Sequence, residues 1–133
     1  MIKYIAFIIA LLFSLTACNS AIKPEELYGK WKYTKVEHPR ATPPDTLSSA
    51  EITAAAPYIR FSQNNKLVMM WDNKVLSQGK FILDGHNIVY TENLPDGKTR
   101  TFPFWVSELT GNELVFETQG DDGSRVTAVK ESH

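Results

Sequence analysis

The chain has 133 residues, with 14 Lys and Arg against 15 Asp and Glu, a formal charge of −1 and a single cysteine. That length supports one domain around one core. The absence of a basic excess or a basic run excludes nucleic-acid binding by electrostatic attraction, and one cysteine excludes an internal disulfide, so stability must come from packing.

Lys3 precedes an apolar run over residues 5–15. As a helix this run reaches about 16 Å, short of the roughly 30 Å hydrocarbon core of a bilayer. A basic start, a short apolar run and small residues after it read as a secretory signal; a plain cleaved signal and a short membrane anchor are the other readings. The small residues are Leu15-Thr16-Ala17-Cys18. They resemble the lipobox of bacterial lipoproteins. The resemblance implies diacylation of Cys18, cleavage before it and acylation of the new amino terminus, with palmitate among the acyl groups. Several acyl chains, at about 0.8 kcal/mol per buried methylene, hold a protein stably on a membrane. Cys18 is thus expected to be an anchor, with residues 1–17 a signal peptide, 18–24 the lipidated cysteine and a short tether, and 25–133 the folded domain. Loss of Lys3 with the leader leaves 116 residues and a formal charge of −2. Asn19, where an Asp would favour retention at the inner membrane, points by the same resemblance to the outer membrane of the envelope.

In "KPEELYG", Pro24 suits a first helical position, Glu25 and Glu26 favour the positive helix end, and Gly29 can close the turn. One helical turn is expected. From Trp31 onward the chain reads as short β-type runs separated by turn chemistry. Strands are expected over 31–37, 58–62, 66–71, 75–83, 87–92, 99–108, 113–119 and 125–130, with "NN", "DN", "DGHN", "LPDGK", "TGN" and "GDDG" as tight connections. Only the first connection, 38–57, is long. Within it Ser48 and Glu51 fit a capping box, Leu47 and Ile52 fit a hydrophobic staple, and Pro57 ends the run. A helix of about two turns is expected there, lying over one end of the strands as a lid.

Eight hairpin-linked strands leave two open edges unless the sheet closes on itself. The expected fold is therefore all-β, an eight-stranded antiparallel up-and-down barrel with a short helix in its long first loop; a β-sandwich is the rival. Alternation marks Ile59 and Phe61, Phe81 and Leu83, Ile88 and Tyr90, Phe102, Phe104 and Val106, and Leu114 and Phe116 as one buried face. In "KLVMMW", Leu67, Met69 and Trp71 compete with Val68 and Met70 for the interior.

"LYGKW" places Gly29-x-Trp31 at the start of the first strand, just after a helical turn. This resembles the Gly-x-Trp motif of lipocalins, and "ELTGNELVFET" resembles the closing strands of lipocalin-like domains in bacterial lipoproteins. The resemblance implies an eight-stranded barrel and a basic residue from the last strand over the motif Trp. Lipocalins use Arg; here Lys130 is the nearest candidate. Lys supplies a cation–π contact without the stacked fork of Arg.

An eight-stranded barrel is either filled by side chains or able to admit one small ligand. Phe61, Met69, Phe81, Phe102, Phe104 and Phe116 are the candidate cavity lining. Rim charges offset one another (Asp72, Asp96, Asp121 and Asp122 against Lys74, Lys98 and Arg125), so an apolar, uncharged or weakly polar guest is expected. His38, His86 and His133 have no metal-ligand spacing, and "GDDG" reads as a hairpin turn rather than a calcium loop. No Gly-x-Ser-x-Gly, phosphate-binding loop or His-Glu metalloprotease spacing occurs. The expectation is a non-enzymatic, cofactor-free lipoprotein that binds or carries a small hydrophobic molecule, or else a filled barrel that acts on an envelope protein partner through its outer surface. Inhibitors of cell-wall-degrading enzymes are also small barrels, but "SQGKF" matches their Ser-Gly loop poorly.

Overall fold

The computed structural model describes residues 21–120 and 123–131. The expected signal, Cys18 and Asn19, together with Asp121, Asp122 and His133, lie outside the described residues. The elements run α1 (Pro24–Leu27), β1 (Gly29–His38), β2 (Asp45–Thr46), α2 (Ser49–Ala55), β3 (Tyr58–Ser62), β4 (Lys66–Trp71), β5 (Lys74–Asp84), β6 (Asn87–Asn93), β7 (Thr99–Leu109), β8 (Glu113–Thr118) and β9 (Arg125–Lys130).

β1 and β3 through β9 pair consecutively and antiparallel, and β1 also pairs with β9 from Trp31↔Lys130 to Glu37↔Arg125. The sheet is therefore a closed eight-stranded up-and-down barrel, compatible with a lipocalin-like fold. Closure pairs the first barrel strand with the last and so removes the two open edges of a flat eight-stranded sheet. The two-residue β2, absent from the sequence reading, pairs with Glu37 and His38 at the end of β1.

Three register shifts re-aim side chains. In β1 the shift lies between Tyr33 and Lys35, so Trp31, Tyr33 and then Val36 point inward, where strict alternation would have chosen Lys35. In the β4–β5 hairpin it falls between Met69 and Met70, opposite Ser77 and Val75. There Leu67 is fully buried and Met69 packs against the core, which settles the facing of "KLVMMW". The third lies in β7, between Val106 and Glu108.

The barrel is solid at one end. Leu27, Trp31, Ile59, Phe61, Phe81, Ile88 and Leu114 are essentially inaccessible. α1 closes this base by placing Leu27 beneath the strands and accepting the Trp31 indole N–H on the Leu27 carbonyl, 2.7 Å away. Ile22 donates its backbone N–H to Gly85 O in the β5–β6 turn at 3.1 Å, which fastens the entering chain to the same base.

α2 is the expected capped helix. The Ser48 hydroxyl accepts from the Glu51 N–H at 3.1 Å, and Ile52 is buried. It does not roof the barrel. Leu47 N–H bonds Val36 O and Asp72 N–H bonds Ala55 O, so the segment spans from β1 to the β4–β5 turn beside the short β3. The expected lid is thus part of the flank, because β3 has five residues and pairs with β1 only from Gly29 to Lys32.

A candidate ligand cavity in the open half of the barrel

Above the packed base the barrel holds a cavity of about 620 Å³. This is within the usual range for small-molecule sites. Its walls are chiefly aromatic and aliphatic, including Tyr33, Val36, Met69, Phe102, Phe104 and Phe116. The rings interlock edge to face: Phe102 and Phe104 at 5.4 Å, Tyr90 and Phe102 at 5.6 Å, Tyr33 and Phe116 at 6.1 Å between centroids. Such offset contacts fix ring orientations and hold the wall in shape.

Four of the six expected lining residues, Met69, Phe102, Phe104 and Phe116, are on this wall. Phe61 and Phe81 are not. They meet edge to face in the base, 5.2 Å between centroids, beneath the cavity. Alternation identifies the inward face of a strand but says nothing about height along the barrel axis. The height follows from pairing: Phe61 is level with Gly29, the first residue of β1.

One side of the wall is polar. Arg100 donates to Glu92 Oε1 from Nη2 at 2.6 Å and Nε at 3.1 Å, and its guanidinium lies 5.1 Å from the centre of the Phe102 ring. The Ser77 hydroxyl donates to Glu92 Oε2 and lies 2.6 Å from the Tyr90 hydroxyl. Glu92 is mostly buried and Arg100 mostly exposed, so the pair runs from wall to rim. His38, read from sequence as a loop residue, ends β1, lines the cavity and holds Asp45 at 2.6 Å. Burial, with a smaller push from Tyr90, raises the Tyr33 phenol far above its usual pKa. Burial likewise raises Tyr90, against a lowering by Ser77.

The sequence reading missed Ser77, Glu92 and Arg100, although a signal was present. Glu92 is in phase with inward Ile88 and Tyr90, Arg100 with Phe102 and Phe104, and the two are direct cross-strand partners. A charge in phase with core aromatics, at the strand end farthest from the base, marks a polar patch inside the mouth.

Lys130 lies over Trp31 as the resemblance implied. "SQGKF" lies within β5 rather than in a loop, so it has no loop geometry to offer an enzyme. Among the described residues there is no cluster of His, Cys, Asp and Glu able to hold a metal, and no helix long and apolar enough to cross a membrane. No protein-family model matches the chain, and no curated protein matches it at a significant level.

Proposed function

We propose that the chain is a lipid-anchored protein of the bacterial envelope, at the outer membrane, whose barrel binds or carries a small hydrophobic molecule. The observation that carries this reading is the cavity of about 620 Å³ walled by ordered aromatic rings. An open, mostly apolar concavity with a few polar groups on one side is the usual form of a small-molecule site. The anchor agrees with the layout. Cys18 precedes Ile22 by four residues, so a lipid on Cys18 holds the base within about 14 Å of the bilayer, and the cavity opens toward the other pole. Native mass spectrometry of protein released from its own cells tests binding: a co-purified apolar molecule is expected, and a ligand-free barrel that also ignores added apolar compounds would refute it. Palmitate labelling that is lost in Cys18→Ala tests the anchor.

A specific observation favours a second reading, an envelope interaction module. Ile82, Val89 and Pro103 are register partners on the outer face of β5–β7, and Ile82 is 62% exposed. Exposed Trp105 follows on the same strand face as Pro103. One stoichiometric protein in a pull-down, lost in Ile82→Glu, would support that reading over ligand carriage.

A further inference from the structure

Resting on the ligand-binding reading, we infer that the cavity contains a built subsite for an uncharged hydroxyl or carbonyl group, with Tyr33 as its donor and the Tyr90 oxygen as an acceptor. The guest is accordingly a neutral amphipathic molecule, such as an alcohol, rather than a fatty acid or an amine.

The hydrogen bonds of the polar wall have one direction. An ionised carboxylate only accepts, and a hydroxyl has a single proton. Ser77 spends its proton on Glu92. Tyr90, 2.6 Å from the Ser77 oxygen, must then donate to it. The Tyr90 oxygen keeps lone pairs but no free proton. Tyr33 lines the same cavity, and its hydroxyl has no hydrogen-bond partner among the described residues. Like any phenol, that hydroxyl is protonated at neutral pH, and burial only reinforces this. The inner wall therefore offers the free Tyr33 donor beside the Tyr90 acceptor, with the Thr118 and Ser124 hydroxyls and the Trp71 indole N–H farther around the wall, all of them uncharged.

The charged groups on the wall stand in pairs, the cation of one of them outermost. Glu92 takes two N–H bonds from Arg100, and His38 holds Asp45. A ligand carboxylate on the inner wall meets neutral phenols and the field of Glu92, while Arg100, which keeps N–H groups unused by Glu92, stands out at the rim. A ligand ammonium meets Arg100. A hydroxyl gives its proton to a phenol oxygen and accepts from Tyr33, while its chain covers the aromatic wall. An unmet polar group in a desolvated site weakens binding, which makes this pairing selective.

The test uses residues 18–133, which carry the whole closed sheet and its buried core, with decanol, decanoate, decylammonium and decane as competitors of a neutral fluorescent probe at pH 7.5. Decanol is expected to bind at least tenfold more tightly than decanoate or decylammonium, and more tightly than decane. Tyr33→Phe should bring decanol and decane affinities together, and Glu92→Gln, by unmasking Arg100, should raise decanoate affinity about tenfold. If decanoate or decylammonium equals decanol, or if Tyr33→Phe leaves the alcohol preference intact, the subsite is refuted while the apolar cavity stands. If none of the four compounds displaces the probe, the carrier reading fails with it.

Discussion

Lys130 lies across the floor of the barrel with its Nζ 5.4 Å from the centre of the Trp31 indole, and its stem covers Gly29. Gly29 has φ +125°, and a Cβ there would stand 3.1 Å from Lys130 Cε. The Gly-x-Trp pair and the last strand are thus one unit. Gly29→Ala is expected to cost about 1–3 kcal/mol through backbone strain and crowding. Trp31→Phe deprives the Leu27 carbonyl of its donor and leaves a void, costing about 2–4 kcal/mol. Lys130→Met keeps the stem and should cost no more than about 1 kcal/mol. Urea midpoints should fall most in Trp31→Phe, less in Gly29→Ala and least in Lys130→Met. A Lys130→Met loss equal to that of Trp31→Phe would show that the cation, not packing, holds the floor.

Met69 is the cavity residue best suited to a charge test, because it is only partly buried, whereas Phe104 is inaccessible and its replacement threatens the fold. Met69→Glu should leave the barrel folded, by circular dichroism, and reduce binding of an apolar probe at least tenfold. Val75→Glu, on the same hairpin but 53% exposed and off the cavity wall, should bind as the parent does. Equal binding by all three proteins would place the probe elsewhere.

Arg40 closes the long first loop onto the β8–β9 turn, donating from Nε to Gly120 O at 2.8 Å and from Nη2 to Thr118 O at 2.7 Å. A Cβ on Gly123 would occupy the space of this guanidinium. Arg40→Ala should cost about 1 kcal/mol in global stability, since the contacts are exposed. It should speed proteolysis within residues 39–44 severalfold. Gly123→Ala, by crowding both the guanidinium and the Thr118 carbonyl that it binds, should reproduce the proteolytic phenotype. Unchanged cleavage in both variants would mean the loop is held by β2 alone.

The two cavity tyrosines set an alkaline limit. Both phenols have folded-state pKa values raised, chiefly by burial. Below about pH 10 the phenols are neutral in folded and unfolded chains alike, and their contribution is fully present. Above that value the unfolded chain releases protons that the folded chain retains, so stability falls as pH rises toward the folded pKa values. The slope is at most about 1.4 kcal/mol per pH unit for each group. Near-ultraviolet titration should show Tyr33 and Tyr90 ionising only with unfolding, and Tyr33→Phe should flatten the loss. A parent curve already flat above pH 10 would contradict the shifts.

Local chemistry made much of this fold legible in the sequence. Turn residues and two-residue alternation placed all eight barrel strands within two residues of their ends, and the Ser48–Glu51 box and Leu47–Ile52 staple located α2. These signals are local because hairpin geometry and helix capping are satisfied by near neighbours. Only the tertiary structure decided what depends on height and register. Phe61 sits in the base because pairing sets it level with the start of β1, Phe81 joins it there through their edge-to-face contact, and Val36 faces inward because one bulge reverses the alternation. Glu92, Arg100, Ser77 and Tyr90 join into one chain of hydrogen bonds only when three strands lie side by side, a relation that no single segment of the sequence encodes.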